Sequence, residues 1–125
     1  MTVGYIDSSA LAVIMLPGEA GAKGASAWDA LDSACTHQFS EIEVPADIGR
    51  DLNRFSWVWA VNLLSIVSMT DEIQRAAIDL AWLGAPARVA VHIAAAVTMG
   101  ADHFLTADET TESWALLKGL NTIRI

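Results

Sequence analysis

The sequence has one cysteine, no basic cluster and no long apolar run, and each absence narrows what the chain can be. Cys35 alone can form neither an internal disulfide nor a cysteine-based zinc site, so we expect a free structural thiol. No apolar run approaches the roughly 18 residues that a membrane-spanning helix needs. The N-terminus has no basic region like that of a signal peptide. Together these absences predict a cytoplasmic protein without a membrane-spanning segment.

Basic residues are scarce and scattered. The chain has 7 Lys and Arg against 15 Asp and Glu, which gives a net charge of −8. Nucleic-acid affinity normally depends on clustered Lys and Arg, so passive nucleic-acid binding is not expected. An RNA contact would need basic residues beside a metal ion that inverts the sign of an acidic pocket. The same charge suits a partner with basic residues. Phosphate-loop, dinucleotide-binding and serine-hydrolase motifs are also absent.

Apolar residues are abundant. Hydrophobic residues make up 54% of the 125 positions, and the mean hydropathy is +0.40. This length predicts a single domain over residues 1–125 with a substantial core. Apolar surface beyond what one core absorbs predicts a homodimer or a partner interface, to which Ala10–Leu16, Trp57 and Trp59 would contribute.

Strand-like and helix-like segments alternate along the chain. The alternation predicts a three-layer α/β/α sandwich around a central parallel sheet of four or five strands. Leu63–Met69 is either a strand or the end of the preceding helix, and Glu41–Asp47 is predicted to be an acidic connection, with Pro45 in the first turn of a helix. The other predicted strands are Val3–Ile6, Thr36–Ser40, His103–Thr106 and Thr122–Ile125. The predicted helices are Ala10–Leu16, Glu19–Ala34, Asp47–Asn62, Ile73–Leu83, Ala87–Met99 and Glu109–Lys118.

Two aspartates follow predicted strands directly and are the strongest candidates for a site. Asp7 follows the first strand and Asp108 the fourth, and such strand ends hold the working groups of open α/β sheets. Neighbouring carboxylates repel each other unless a cation neutralises them, and oxygen ligands suit Mg²⁺ or Mn²⁺. Ser9 and Thr106 lie in mirrored positions beside the two acids. The alternative is that both aspartates only cap the helices that follow them.

A further acid is expected from the acidic segment between residues 41 and 47. Asp47 is predicted to open a helix, with Arg50 and Arg54 on or near its face, and Glu43 is the second candidate. A solvated acidic loop is the alternative. His92 lies in an apolar helix, where a single histidine is more often a core or interface residue than a ligand.

Three segments together resemble the PIN domain family, specifically its VapC-like toxins. Tyr5–Leu11 resembles the family's opening motif, a hydrophobic residue followed by Asp, Thr or Ser, Ser, Ala and Leu. Ala94–Asp108 is similar to its closing motif. Asp47–Arg54 is loosely similar to its middle motif, an acid at the head of a helix with arginine following. The resemblance extends over essentially the whole chain.

The resemblance implies a Mg²⁺- or Mn²⁺-dependent endoribonuclease that cleaves RNA and pairs with a small antitoxin protein. Asp7, Asp47 and Asp108 would be its catalytic and metal-binding acids. The family's third acid falls at Val89, which cannot bind a metal, and Asp102 is a possible substitute. This departure leaves two hypotheses: a ribonuclease with a reduced acidic set, or a PIN-fold protein that has lost cleavage and acts by binding a partner.

Overall fold

The five strands of this computed structural model, which describes residues 1–125, form one sheet in which every pairing is parallel. The strands are β1 (Val3–Ile6), β2 (Ser33–His37), β3 (Ser65–Val67), β4 (His103–Thr106) and β5 (Asn121–Arg124). The helices are α1 (Ser8–Ile14), α2 (Glu19–Asp29), α3 (Ser40–Ile48), α4 (Arg54–Asn62), α5 (Asp71–Trp82), α6 (Ala87–Thr98) and α7 (Glu109–Leu117).

The order of the strands in the sheet is β3-β2-β1-β4-β5. The chain builds outwards from β1 through β2 to β3 and then returns to the other side of β1. Tyr5 is therefore in register with Phe104, and Ile6 with Leu105. The strand order reverses between β1 and β4, and crevices at such points are where open α/β sheets bind ligands.

Both faces of the sheet are buried, which confirms the predicted three-layer α/β/α architecture. Successive residues of a strand point to opposite faces. Tyr5 and Phe104 belong to a core cluster with residues of α5, α6 and α7, and their rings stack at 5.4 Å. Ile6 and Leu105 belong to a second cluster with residues of α1, α3 and α4. Near-continuous burial of this kind is typical of parallel strands.

The boundaries of the second strand and the helix before it differ from the prediction. The strand begins at Ser33 rather than Thr36, because Val3 and Tyr5 of the central strand pair with Ser33 and Cys35. Pairing with a buried neighbour outweighs the weak strand preference of Ser-Ala. The helix accordingly ends at Asp29.

The prediction for residues 40–62 was correct for α4, which lies inside the predicted helix Asp47–Asn62, and wrong for the residues before it. The expected acidic connection is helix α3, Pro45 lies inside it rather than in a first turn, and Asp47 is near its end. Gly49, at φ +43°, ends α3, since residues with a Cβ rarely adopt that conformation. A 3₁₀ turn, Gly49–Asp51, separates α3 from α4. Asn53 caps α4 by accepting a 3.0 Å hydrogen bond from the Ser56 amide.

The apolar residues of α4 are buried unevenly. Trp57 and Ala60 are buried, whereas Phe55 and Trp59 are 88% and 68% exposed. Ala10, Leu11 and Ala12 of α1 lie in the core and do not form an interface. Leu63–Met69 does contain a strand, β3. None of the helices has both the length and the apolar character needed to cross a membrane.

Candidate active site

A polar cleft of about 280 Å³ opens beyond the carboxyl ends of β1 and β4. Its lining has nine residues, of which only Val89 is hydrophobic: Asp7, Ser8, Ser9, Asp47, Arg88, Val89, His92, Asp108 and Thr111. All three acids predicted as catalytic, Asp7, Asp47 and Asp108, thus line one cleft. Its position coincides with the reversal in strand order, where the fold favours ligand binding.

Asp7 forms the buried floor of this cleft, with 2% of its surface exposed. Its Oδ1 accepts hydrogen bonds from the Ala10 amide at 2.8 Å and the Ser9 hydroxyl at 2.7 Å. Its Oδ2 accepts from the Thr106 hydroxyl at 2.6 Å. Burial raises the pKa of the Asp7 carboxyl above its usual value, although these three hydrogen bonds oppose the shift.

Ser9 and Thr106 connect the ends of the two strands. The Thr106 hydroxyl donates to Asp7 and accepts from the Asp108 amide at 3.1 Å. The Ser9 hydroxyl donates to Asp7 and accepts from the Ala107 amide at 3.0 Å. Each hydroxyl therefore donates its single proton to Asp7, and its oxygen accepts a hydrogen bond from the loop that carries Asp108. The two residues are well placed to fix one acid relative to the other.

Asp108 caps helix α7 from the rim of the cleft. Its Oδ2 accepts from the Thr111 amide at 2.9 Å and the Thr111 hydroxyl at 2.7 Å. The Thr111 hydroxyl is the main cause of the lowered pKa of Asp108, and Arg124 and Arg88 add to the effect against partial burial. Oδ1 of Asp108 accepts no hydrogen bond within the chain, so capping leaves one carboxylate oxygen free.

One part of the capping alternative is therefore correct: Asp7 caps α1 and Asp108 caps α7. Capping does not exclude a second role. A carboxylate has about four acceptor positions, and a cap uses only some of them. Both acids cap a helix and line the cleft.

Glu43 and Asp47 lie one turn apart on α3, and both pair with Arg88 at the start of α6. Arg88 Nε contacts Glu43 Oε2, and Nη2 contacts Asp47 Oδ2. Nη2 also donates to the Ser8 hydroxyl at 2.8 Å. The sequence left open which of the two acids faces the cleft. Asp47 lines the cleft. Glu43 does not line it, and its Oε2 accepts a 3.3 Å hydrogen bond from the Ser8 hydroxyl.

A buried chain of hydrogen bonds holds Glu43 from the other side. His92 Nε2 donates to Glu43 Oε1 at 2.8 Å, and His92 Nδ1 shares a 2.6 Å hydrogen bond with the Tyr5 hydroxyl. The Tyr5 oxygen accepts from the His37 amide at 3.0 Å. Burial favours the neutral form of Glu43, but the His92 hydrogen bond and the Arg88 charge outweigh it and lower the Glu43 pKa.

Asp102 is not brought to the cleft. Its Oδ2 accepts from the Val3 amide at 2.8 Å, at the amino end of β1 and thus the opposite edge of the sheet. Arg50 and Arg54 do not line the cleft either, because Gly49 ends α3 before either residue.

The acids suit a hydrated divalent ion better than a fully protein-ligated one. No three Asp, Glu, His or Cys side chains lie close enough together to hold an ion between them. Asp7 and Asp108 nevertheless provide hard oxygen donors, with one oxygen of Asp108 free and burial opposing ionisation of Asp7. Mg²⁺ commonly keeps several waters and takes only one or two carboxylates from the protein. The donor chemistry fits Mg²⁺ or Mn²⁺ on those terms.

Sequence reasoning missed Arg88 as a site residue, and His92, which was expected to be a core or interface residue, is buried and also lines the cleft. The two lie one helical turn apart on α6, so they share a face, and a charged residue on an otherwise apolar helix was the available signal. Ser8 and Thr111 also line the cleft. Ser8 follows Asp7 directly, and Thr111 lies three residues after Asp108, so the first turns of α1 and α7 place both residues beside the cleft.

Comparisons with known proteins support the fold. No model of a protein family matches the sequence, and no curated protein does. Among solved structures, a chain of a toxin–antitoxin complex from Klebsiella pneumoniae is similar, with a TM-score of 0.79 over 98% of this chain and 99% of that chain. The two sequences are 16% identical. The likeness therefore shows that the two chains share the same α/β fold over nearly their full length.

Proposed function

We propose that this protein is a divalent-metal-dependent endoribonuclease and the toxin of a toxin–antitoxin pair, similar to VapC toxins. The observation that carries the proposal is the joint presence of Asp7, Asp47 and Asp108 in one cleft at the β1–β4 strand ends. The similar Klebsiella pneumoniae chain comes from a toxin–antitoxin complex and supports the biological setting. The motifs around Asp7 and Asp108 support the chemistry.

In this proposal Asp7 and Asp108 hold the ion, with Asp47 beside them. A bound Mg²⁺ or Mn²⁺ would activate a water molecule and stabilise the charge that develops on the phosphodiester. Ser9 and Thr106 would fix the two acids, because their hydroxyls join Asp7 to the loop of Asp108. Arg88 is the one cationic side chain in the lining and is 46% exposed, so it can also meet the RNA backbone.

A second function is favoured by one observation, the pairing of Arg88 with Glu43 and Asp47 beside the apolar Val89. These two acids already share one cation, and α6 supplies no carboxylate. In this second function the protein retains the fold, cleaves RNA weakly or not at all, and acts by binding its partner.

The two functions are distinguished by incubating the purified protein with a long single-stranded RNA and Mn²⁺ or Mg²⁺. The proposed ribonuclease should cleave the RNA with either metal and stop when EDTA is added. Asp7→Asn should lower the rate by about 10²-fold or more, because it removes a charged ligand while its amide oxygen still caps α1.

Asp79→Asn is the matched control, since Asp79 is an exposed acid on α5 and does not line the cleft. It should cleave at the wild-type rate. Absence of metal-dependent cleavage by the wild-type protein would contradict the ribonuclease and leave partner binding as the function. Equal cleavage rates for the wild type and Asp7→Asn would show that Asp7 is not part of the active site.

A further inference from the structure

Arg88 is held as a fixed cation between two carboxylates of α3. Its Nε pairs with Glu43, and its Nη2 pairs with Asp47 and donates to the Ser8 hydroxyl. Nη1 adds a longer contact of 3.5 Å to the second oxygen of Asp47. A guanidinium that forks across two carboxylates is a geometrically specific interaction, and lysine does not reproduce it.

The four acids around the cleft fall into two pairs with different partners. Both oxygens of Glu43 are occupied, Oε1 by His92 and Oε2 by Arg88, and both oxygens of Asp47 lie next to Arg88. Asp7 and Asp108 have no basic side chain in hydrogen-bond contact. One pair of carboxylates therefore already shares a cation supplied by the chain, and the other pair has none in contact.

A divalent ion at Glu43 and Asp47 would have to displace the Arg88 guanidinium. That displacement would break two ion pairs and leave a second positive charge beside the ion. Val89, at the next position of α6, offers no ligand to offset this cost. Glu43 has a side chain that is only 16% exposed, so its pairing with Arg88 is poorly screened by solvent.

We propose that Arg88 is the resident cation of the Glu43–Asp47 pair and takes the place that a second divalent ion would fill. The cleft then uses one metal ion, at Asp7 and Asp108, together with one guanidinium. This inference rests on the proposed function for the ion at Asp7 and Asp108. The occupancy of the Glu43–Asp47 pair can be measured independently of that ion.

The test is a calorimetric Mn²⁺ titration of the folded protein at near-physiological ionic strength, with no RNA present. Arg88→Ala should bind one more Mn²⁺ per chain than the wild type, because the substitution releases Glu43 and Asp47 of α3, while alanine at position 88 still supports α6. Adding Asp47→Asn to Arg88→Ala should abolish the extra ion. In Arg88→Ala the electron paramagnetic resonance spectrum should show coupling between two nearby Mn²⁺ ions, and the wild-type spectrum should not.

Arg75→Ala is the control for the loss of one positive charge, since Arg75 lies on α5 and forms no ion pair. It should keep the wild-type stoichiometry. Arg88→Lys retains the charge without the fork, and it should bind the extra ion more weakly than Arg88→Ala. Thermal melting of each variant identifies any that fail to fold, and Arg88→Gln then replaces Arg88→Ala.

Equal Mn²⁺ stoichiometry in wild type and Arg88→Ala would overturn the inference, as would persistence of the extra ion in the Asp47→Asn double variant. A wild-type protein that binds no Mn²⁺ would contradict the proposed function. The inference would still stand in that case if Arg88→Ala gained one ion, so the two failures are distinguishable.

Discussion

At the scale of single residues, the acids of the cleft combine structural and chemical roles. Asp7 and Asp108 each begin a helix through one carboxylate oxygen. Negative charge at a helix N-terminus is favourable, which explains why acids are tolerated at these positions without a ligand. The charged form of Asp7 costs more folding free energy than that of Asp108, because Asp7 is almost fully buried and its pKa is raised by that burial.

Asp7→Asn should therefore stabilise the metal-free protein at neutral pH by on the order of 1 kcal/mol. Because the folded-state pKa of Asp7 is raised, the folded protein favours the protonated carboxyl, and wild-type stability falls as pH rises from the unfolded value of about 4 through the folded value. Asparagine does not ionise and should lack this fall. Unfolding by urea in EDTA, measured between acidic and neutral pH, provides the comparison.

Asp79→Asn again serves as the control and should retain the wild-type pH dependence. Saturating Mn²⁺ should reverse the order of stability, because an ion bound by the folded state stabilises wild type and not Asp7→Asn. Parallel stability–pH curves for wild type and Asp7→Asn would show that burial of the Asp7 charge is not the cost described here.

At the scale of helices, close packing of α1 on α2 limits which residues the sequence can use. Gly21 is buried in α2, and a Cβ at this position would lie 2.4 Å from the Leu16 carbonyl oxygen and 2.9 Å from that of Val13. Both neighbours are backbone atoms, which cannot rotate away. Helix propensity alone would favour alanine over glycine by about 1 kcal/mol, so packing and propensity predict opposite signs.

Gly21→Ala should lower the free energy of unfolding by about 1–3 kcal/mol, because overpacking against backbone outweighs the gain in propensity. Gly24→Ala in the same helix is the comparison, since its Cβ would meet side-chain atoms of Ile14 and Ile125 at 2.6 and 2.7 Å. Side chains can shift, so the loss should be smaller. Chemical denaturation measures both, and a stabilised Gly21→Ala would contradict the close packing of α1 and α2.

At the scale of the whole molecule, the alternation of apolar strands and helices was enough to predict the three-layer architecture. The strand-end positions of Asp7 and Asp108 were likewise enough to predict that both line one cleft, because parallel strands share a carboxyl edge. These features depend on local patterns and on rules that hold for all parallel sheets.

The features that sequence reasoning missed depend on contacts between distant segments. Ser33 and Cys35 became a strand because β1 was available to pair with them. The ion pairs of Arg88 join residues 41 and 45 positions apart along the chain, and no local pattern encodes them. Asp102 resembled the other acids in composition, but it precedes its strand and therefore lies at the opposite edge of the sheet.

Our prediction of the association state is based on the outer surface of α4. This helix buries only Trp57 and Ala60 and exposes Phe55, Val58 and Trp59. Exposed apolar groups of this size favour an interface, and the net charge of −8 favours a basic partner while opposing self-association. We expect a homodimer or a complex with a small basic antitoxin-like protein, with Trp59 contributing to the contact.

Trp59→Ser should weaken that association by about tenfold or more, because tryptophan is enriched among the interface residues whose truncation costs about 2 kcal/mol or more. Sedimentation velocity at several protein concentrations measures it, with Trp82→Ser on α5 as the control. Salt separates the two forms of association. Screening should strengthen a dimer of like-charged chains and weaken a complex with a basic partner. A monomer at all concentrations, with no co-purifying protein, would show that the exposed face of α4 is not an interface.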